Sequence, residues 1–222
     1  TGGKHRDDAA STGAIQGATH SAGGFPHEPL GPAFEGLIGV DPAFRQALVT
    51  AKRAAQSDIA VLIIGESGTG KEILARAIHQ TSARRDKPLV DVNCAAIPDS
   101  LIESELFGYE KGAFTGARTE GRKGYFDEAH EGTILLDEIG DSSLSVQSKL
   151  LRVLESGTFK RVGGTKNVKV DVRVISATNQ DLAGLIGQKK FREDLFFRLN
   201  AFTIHLPPLR DRKGDIALLV EY

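Results

Sequence analysis

Apolar positions along the chain come in short blocks whose period alternates between that of a helix and that of a buried strand. Asp41-Pro42 has the chemistry of an N-cap followed by a first helical residue. Phe44, Ala47, Leu48 and Ala51 follow at i, i+3, i+4 and i+7, which predicts an amphipathic helix to about Gln56. Ile59 to Ile64 is an unbroken apolar run rich in β-branched residues, as a strand covered on both faces should be. Ile73, Leu74, Ala77 and Ile78 form the inner face of a second helix. Pro88 to Val92 reads as a strand, 99 to 107 as a helix and Thr133 to Leu136 as a short strand. Leu144 to Glu155 reads as a helix with Leu150, Leu151 and Leu154 inward, stopped by Gly157. Val168 to Ala177 reads as one long strand, and Phe202 to Leu206 as the last, closed by Pro207-Pro208. Asp215 is expected to cap a final helix carrying Ile216, Leu219 and Val220. No internal repeat is visible. Alternating strands and helices predict an α/β fold on a parallel sheet, with helices on both faces.

Residues 1–35 are different material, rich in Gly and Pro and poor in large apolar side chains (Ile15, Phe25, Leu30, Phe34). They read as a flexible linker or tail. Their histidines, His5, His20 and His27, lack ligand spacing and read as solvated. Lys plus Arg number 28 against 29 Asp plus Glu, so the chain is not a general polyanion binder. A hydrophobic content of 40% suffices for a sizeable core. The single cysteine excludes an internal disulfide and any Cys-rich zinc site. No apolar run reaches the roughly 18 residues of a membrane span, and no signal segment is visible, so a cytoplasmic protein is expected. The chain starts at Thr1 and contains no Met, which suggests a piece of a longer polypeptide with a domain upstream.

The strand ending at Ile64 runs into Gly65-Glu66-Ser67-Gly68-Thr69-Gly70-Lys71, and a helix follows. That spacing, in that context, is a phosphate-binding loop. Glycines let backbone N–H groups form an anion nest, the helix N-terminus adds partial positive charge, and Lys71 brings a full one. The next position usually carries a Mg²⁺-binding hydroxyl, but here it is Glu72, a carboxylate able to serve Mg²⁺ directly or through water. Thr133 to Leu136 delivers Asp137-Glu138 to a strand end, where α/β proteins bind ligands. Asp137 is the candidate for Mg²⁺ and Glu138 for base or water-orienting group. The competing reading is two acids at the N-terminal turn of a helix. Asn179 ends another apolar strand, where it either senses the γ-phosphate or is a turn residue.

Longer motifs carry a resemblance. Residues 65–72 read GESGTGKE, 112–117 GAFTGA, 132–141 GTILLDEIGD, 191–200 FREDLFFRLN and 206–212 LPPLRDR. From about residue 36 onward the chain resembles the central AAA+ domain of the bacterial enhancer-binding proteins that activate sigma-54 RNA polymerase, the NtrC-like family. GAFTGA is the most specific element. The resemblance implies an ATPase core over 36–210 with a GAFTGA insertion, and the start of a truncated helical lid at 211–222. It implies ATP and Mg²⁺ as cofactors, with residues 65–72 holding nucleotide and Asp137 and Glu72 the metal. Glu138 would activate water, Asn93 would pair with that glutamate, and Asn179 would be the sensor. Arg192 and Arg198 would be arginine fingers reaching a neighbouring subunit's γ-phosphate; alone, Arg192-Glu193-Asp194 reads as a solvated charge cluster.

Gly112, Ala113, Phe114, Thr115, Gly116 and Ala117 would contact sigma-54, with Glu103 to Lys111 part of the same insertion; alone, they read as an ordinary buried turn. Cys94 reads as a small buried hydrophobe. The resemblance implies a ring of six or seven copies, RNA polymerase carrying sigma-54 as partner, and DNA contact only through a C-terminal domain absent here. The alternatives are a nucleotide-gated assembly module without turnover, and another AAA+ motor such as a helicase or unfoldase. Without the rest of the lid, this chain is expected to bind or hydrolyse nucleotide poorly.

Overall fold

Val61, Leu62 and Ile63 are each fully buried although successive strand side chains point to opposite faces, so this strand must be covered on both sides. The computed structural model describes residues 30–114 and 120–222, and β1 (Val61–Ile64) lies inside a five-stranded, wholly parallel sheet. Its helices and strands follow in the order α1 (Pro42–Ala54), β1, α2 (Lys71–Thr81), β2 (Leu89–Asn93), α3 (Asp99–Phe107), α4 (Tyr125–Glu128), β3 (Thr133–Asp137), α5 (Leu144–Ser156), β4 (Thr158–Lys160), β5 (Asn167–Lys169), β6 (Arg173–Thr178), α6 (Leu182–Gly187), α7 (Glu193–Leu199), β7 (Thr203–His205) and α8 (Asp215–Glu221). The sheet order is β2-β3-β6-β1-β7, while β4 and β5 form a separate antiparallel hairpin.

Two cores sandwich the sheet. On one face Val61, Ile63, Leu135, Ile175 and Ala177 pack with Phe44 and Leu48 of α1 and Leu74 and Ile78 of α2. On the other, Leu62, Ile134, Leu136 and Val174 pack with Ile102, Phe107, Phe126, Val146 and Leu195. The α/β reading therefore holds. The helix before β1 is capped as expected: Asp41 Oδ1 accepts from Ala43 N at 2.9 Å and Phe44 N at 3.1 Å. Cys94 is buried among apolar neighbours, and burial pushes its thiol up to about 12. Among the described residues no helix is long and apolar enough to cross a membrane.

Several details differ from the sequence expectations. Val168 to Ala177 is two strands: β5 pairs with β4, Val170 N ending that ladder on Gly157 O, and the chain joins the parallel sheet only from Arg173, with Asp171 N donating to His130 Nδ1 between them. Ile73 is 47% exposed, since the inner stripe of α2 runs through Leu74, Ala77 and Ile78. Leu151 and Leu154 are only partly buried; Val146, Gln147 and Leu150 take the innermost places on α5. Asp215 does not cap α8. Its Oδ1 accepts from Val40 N at 2.8 Å and Asp41 N at 3.2 Å, tying α8 back to the segment before α1. Order starts ahead of residue 36, with Phe34 already in the core. His5, His20 and His27, and Thr115, Gly116 and Ala117, lie outside the described residues.

His79 of α2 is 4% exposed, with Nδ1 2.9 Å from Thr133 Oγ1. Burial holds its pKa below the usual value; the nearby Arg173 charge adds to this, and a hydrogen bond with the Lys87 backbone opposes it. As pH falls below about 6.5 the unfolded chain therefore takes up this proton before the folded one, and stability drops. We expect the melting temperature to fall between about pH 7 and 5.5, and to fall less steeply in His79→Gln. Identical slopes would contradict this.

Candidate functional site

The register of the sheet brings three strand ends to one level. Ile64 pairs with Thr178 and Leu136 with Ser176, so Glu138, two residues beyond Leu136, stands beside Thr178. The loop between β1 and α2 crosses this edge. Gly68 and Gly70 have φ of 81° and 95°, left-handed values that side-chain-free residues adopt without strain. Thr69 Oγ1 donates to Glu66 O at 2.8 Å and fixes the loop from within. The first N–H groups of α2 have no partner within the helix and face the loop.

Lys71 opens α2 and is 7% exposed. Its Nζ donates to Gly65 O at 3.0 Å and Glu66 O at 3.3 Å, and lies 3.5 Å from Glu138 Oε1. Glu138 in turn accepts at Oε2 from Asn179 N at 3.1 Å. This glutamate sits at φ 50°, ψ 48°, a left-handed conformation costing a non-glycine residue about 1–3 kcal/mol. That turn off β3 aims its carboxylate at Lys71 and Asn179. Asp137 precedes it with a raised pKa: burial dominates, the charges of Glu138 and Glu72 add to it, and the Glu138 N–H and Lys71 oppose it. A half-buried carboxylate with other acids nearby is a donor set suited to a hard cation such as Mg²⁺, which needs only one or two protein carboxylates.

Other expected residues stand apart. Glu72 Oε1 accepts from Arg76 at 2.8 and 3.0 Å, and Arg76 also holds Asp91 at 2.6 Å, so Glu72 faces the surface. Asn93 lies beside Asp137 in register, yet its Oδ1 caps the next turn, accepting from Ala95 N and Ala96 N. Arg192 is half-exposed and forks onto Asp194, which raises its pKa. Arg198 is exposed and shares a cleft with Asp58, Ile59, Ala60 and Val172, which precede β1 and β6. It is therefore at the edge of the sheet opposite Lys71. Gly112 and Phe114 begin the 112–117 segment; Gly112 has φ 72°, and Phe114, 42% exposed, sets its ring edge-on to Tyr109 at 5.1 Å. The connection between β4 and β5 braces the residues just before this segment, with Glu110 N donating to Val162 O and Val162 N to Gly108 O.

Two features escaped the sequence reading. Arg210 grips Glu66 with two bonds of 2.7 Å, pulling that carboxyl below its ordinary range. No spacing rule links residues so far apart. Gln147 sits at an inward position of α5, three before Leu150, and a polar residue on that face was the available signal.

A glycine-turned loop on a helix N-terminus, a buried lysine and two consecutive acids at the tip of β3 define a P-loop NTPase of the AAA+ type. Residues 37–205 match the Sigma-54 interaction domain, and the chain belongs to that family. It is 60% identical over 186 residues to the DNA-binding transcriptional activator HyfR of Escherichia coli, covering 84% of this chain and 28% of HyfR. It is 55% identical over 186 residues to the regulatory protein AtoC of Escherichia coli, covering 84% of this chain and 40% of AtoC. The chain thus spans well under half the length of these relatives. Among solved structures it is similar to NtrX from Brucella abortus in complex with ADP, at TM-score 0.77 and 45% identity, covering 83% of this chain and 40% of NtrX. NtrX has also been solved in complex with ATP, at TM-score 0.76.

A loop of this chemistry is expected to take inorganic pyrophosphate, and ligand held only by the folded state raises its melting temperature. We expect pyrophosphate to raise the melting temperature of this chain and to leave Lys71→Ala unchanged. Equal shifts in both would place the anion elsewhere.

Proposed function

We propose that the chain is a Mg²⁺-dependent ATPase core that assembles into a ring and remodels the closed complex of RNA polymerase carrying sigma-54. The observation that carries this is the Lys71–Glu138 pair at 3.5 Å beside Asp137. The loop 65–71 binds the phosphates, and Lys71 leaves the carbonyls of Gly65 and Glu66 for the β- and γ-phosphate oxygens. Asp137, with Glu72 once it leaves Arg76, would hold Mg²⁺. When bound, that ion neutralises charge developing on the phosphate oxygens. Glu138 Oε2 orients a water and takes its proton as the water oxygen bonds to the γ-phosphorus. The bond from that phosphorus to the β–γ bridging oxygen breaks, and ADP leaves with its electron pair. Asn93 and Asn179 stand at the ends of β2 and β6, the strands on either side of β3, and in this reading would feel the change at Glu138.

Arg198 cannot serve its own site from the opposite sheet edge, so in this reading Arg192 and Arg198 complete the site of the next copy. A contact between different surfaces of identical copies makes a ring where its rotation closes, and in this reading the ring holds six or seven copies. A finger supplied this way is worth about 10³ to 10⁵ in rate, so an isolated chain turns over poorly and activity rises with concentration. The 112–117 segment, carried between α3 and the β4–β5 hairpin, is the part that meets sigma-54. DNA contact belongs to a part of the longer protein outside this chain.

Glu138→Gln is expected to keep ATP affinity and lose about 10²- to 10⁴-fold in turnover, read by nucleotide titration and phosphate release. Thr115→Ala is expected to keep ATPase activity and lose promoter opening. Normal turnover in Glu138→Gln removes the catalytic assignment. Promoter opening driven by a non-hydrolysable ATP analogue would favour gated assembly without turnover.

A further inference from the structure

Gln147 is fully buried, and every hydrogen bond of its side-chain amide goes to backbone outside its own helix. Its Nε2 donates to Ser142 O at 2.7 Å and to Lys190 O at 3.0 Å. Its Oε1 accepts from Arg192 N at 2.8 Å. Both Nε2 partners are carbonyls and the Oε1 partner is an N–H, so the amide can sit only one way round.

Each of these contacts leads to the chemistry. Ser142 is locked to Ile139 by its N–H at 3.2 Å and its Oγ at 2.7 Å, and Ile139 follows Glu138 directly. Asp141 N donates to Glu138 O at 3.0 Å, and Gln180 Nε2 donates to Asp141 Oδ1 at 2.6 Å, beside Asn179. On the other side, Lys190 and Arg192 bracket the entry to α7. Glu138 and Lys189, at φ 50° and 58°, are two of the three non-glycine residues with positive φ among those described. The amide therefore bridges two segments that each hold a strained backbone, and strain of this kind persists only where surrounding bonds enforce it.

We propose that Gln147 is a positioning residue that fixes the backbone of Arg192 to the turn after Glu138, so that each copy presents its arginine to its neighbour in register with its own site. This rests on the reading of Arg192 as acting in trans. Loss of the amide removes the partner of one buried carbonyl, one part-buried carbonyl and one part-buried N–H, and frees Arg192 from the turn. A finger displaced by about 1 Å costs on the order of 10² in rate.

The test uses the full-length protein. Gln147→Leu alone is expected to keep the KM for ATP and lose kcat about 10²-fold. Mixed one to one with Glu138→Gln, a Gln147→Leu copy with an intact active site receives an intact arginine from its neighbour. Roughly a quarter of all sites then have both, and turnover recovers well above the average of the two proteins alone. Arg192→Ala mixed with Glu138→Gln is the control. Recovery in both mixtures supports the proposal. Recovery in the control alone shows that Gln147 acts on its own site and overturns it. Recovery in neither removes the reading of Arg192 in trans, and the proposal with it. Should Gln147→Leu lose its melting transition, Gln147→Asn, one methylene too short to span the gap, takes its place with the same outcomes.

Discussion

The Lys71–Glu138 contact is the constraint on which the rest of the molecule depends. A lysine almost wholly out of water is costly unless its charge is met, and here two carbonyls and a carboxylate meet it. The carboxylate reaches it only because β1, β6 and β3 are adjacent and end in register. That order is imposed by strands buried on both faces, whose neighbours are chosen by apolar packing. The sheet is thus the jig, and the loop and acids are what it holds. Two of the opposing groups, the carbonyls of Gly65 and Glu66, come from the loop after β1, and the acid comes from the end of β3, so a change at one strand tip is felt at another.

The groups proposed to grip phosphate and to prepare water lie at the C-terminal ends of the strands, while Arg198 lies past the opposite edge. The polar linkage through Gln147 is the described hydrogen-bonded route by which the turn after Glu138 touches the arginine-bearing segment. Its placement inside an otherwise apolar core is costly unless each polar atom is satisfied, and each partner it holds is a backbone group of one of those two segments.

Much of this was legible in the sequence. The apolar runs gave β1 and β3, because buried parallel strands have no polar face to confuse the pattern. The loop 65–71 and the acids 137–138 were legible because their chemistry is local: each needs a short stretch at a strand end. The divided strand at 167–178 was missed because Val170 and Val172 keep the apolar pattern going while the chain passes from the hairpin to the parallel sheet. Asp215 was misassigned because an acid at a helix start looks like a cap, and only the fold shows Val40 and Asp41 awaiting it. Glu72 follows from its place after Lys71 and Asn93 from the family resemblance, and in the structure both are held by nearer partners, Arg76 and the turn after β2. Long-range pairs such as Glu66–Arg210 have no signature in spacing at all.

The most direct test of the account is a structure of the full-length protein with Mg²⁺ and a non-hydrolysable ATP analogue. The account predicts the triphosphate inside the loop 65–71, with Lys71 Nζ on phosphate oxygen and Glu138 released from it to face a water. A structure with Lys71 still on Gly65 O, Glu66 O and Glu138, and the nucleotide bound elsewhere, would contradict it.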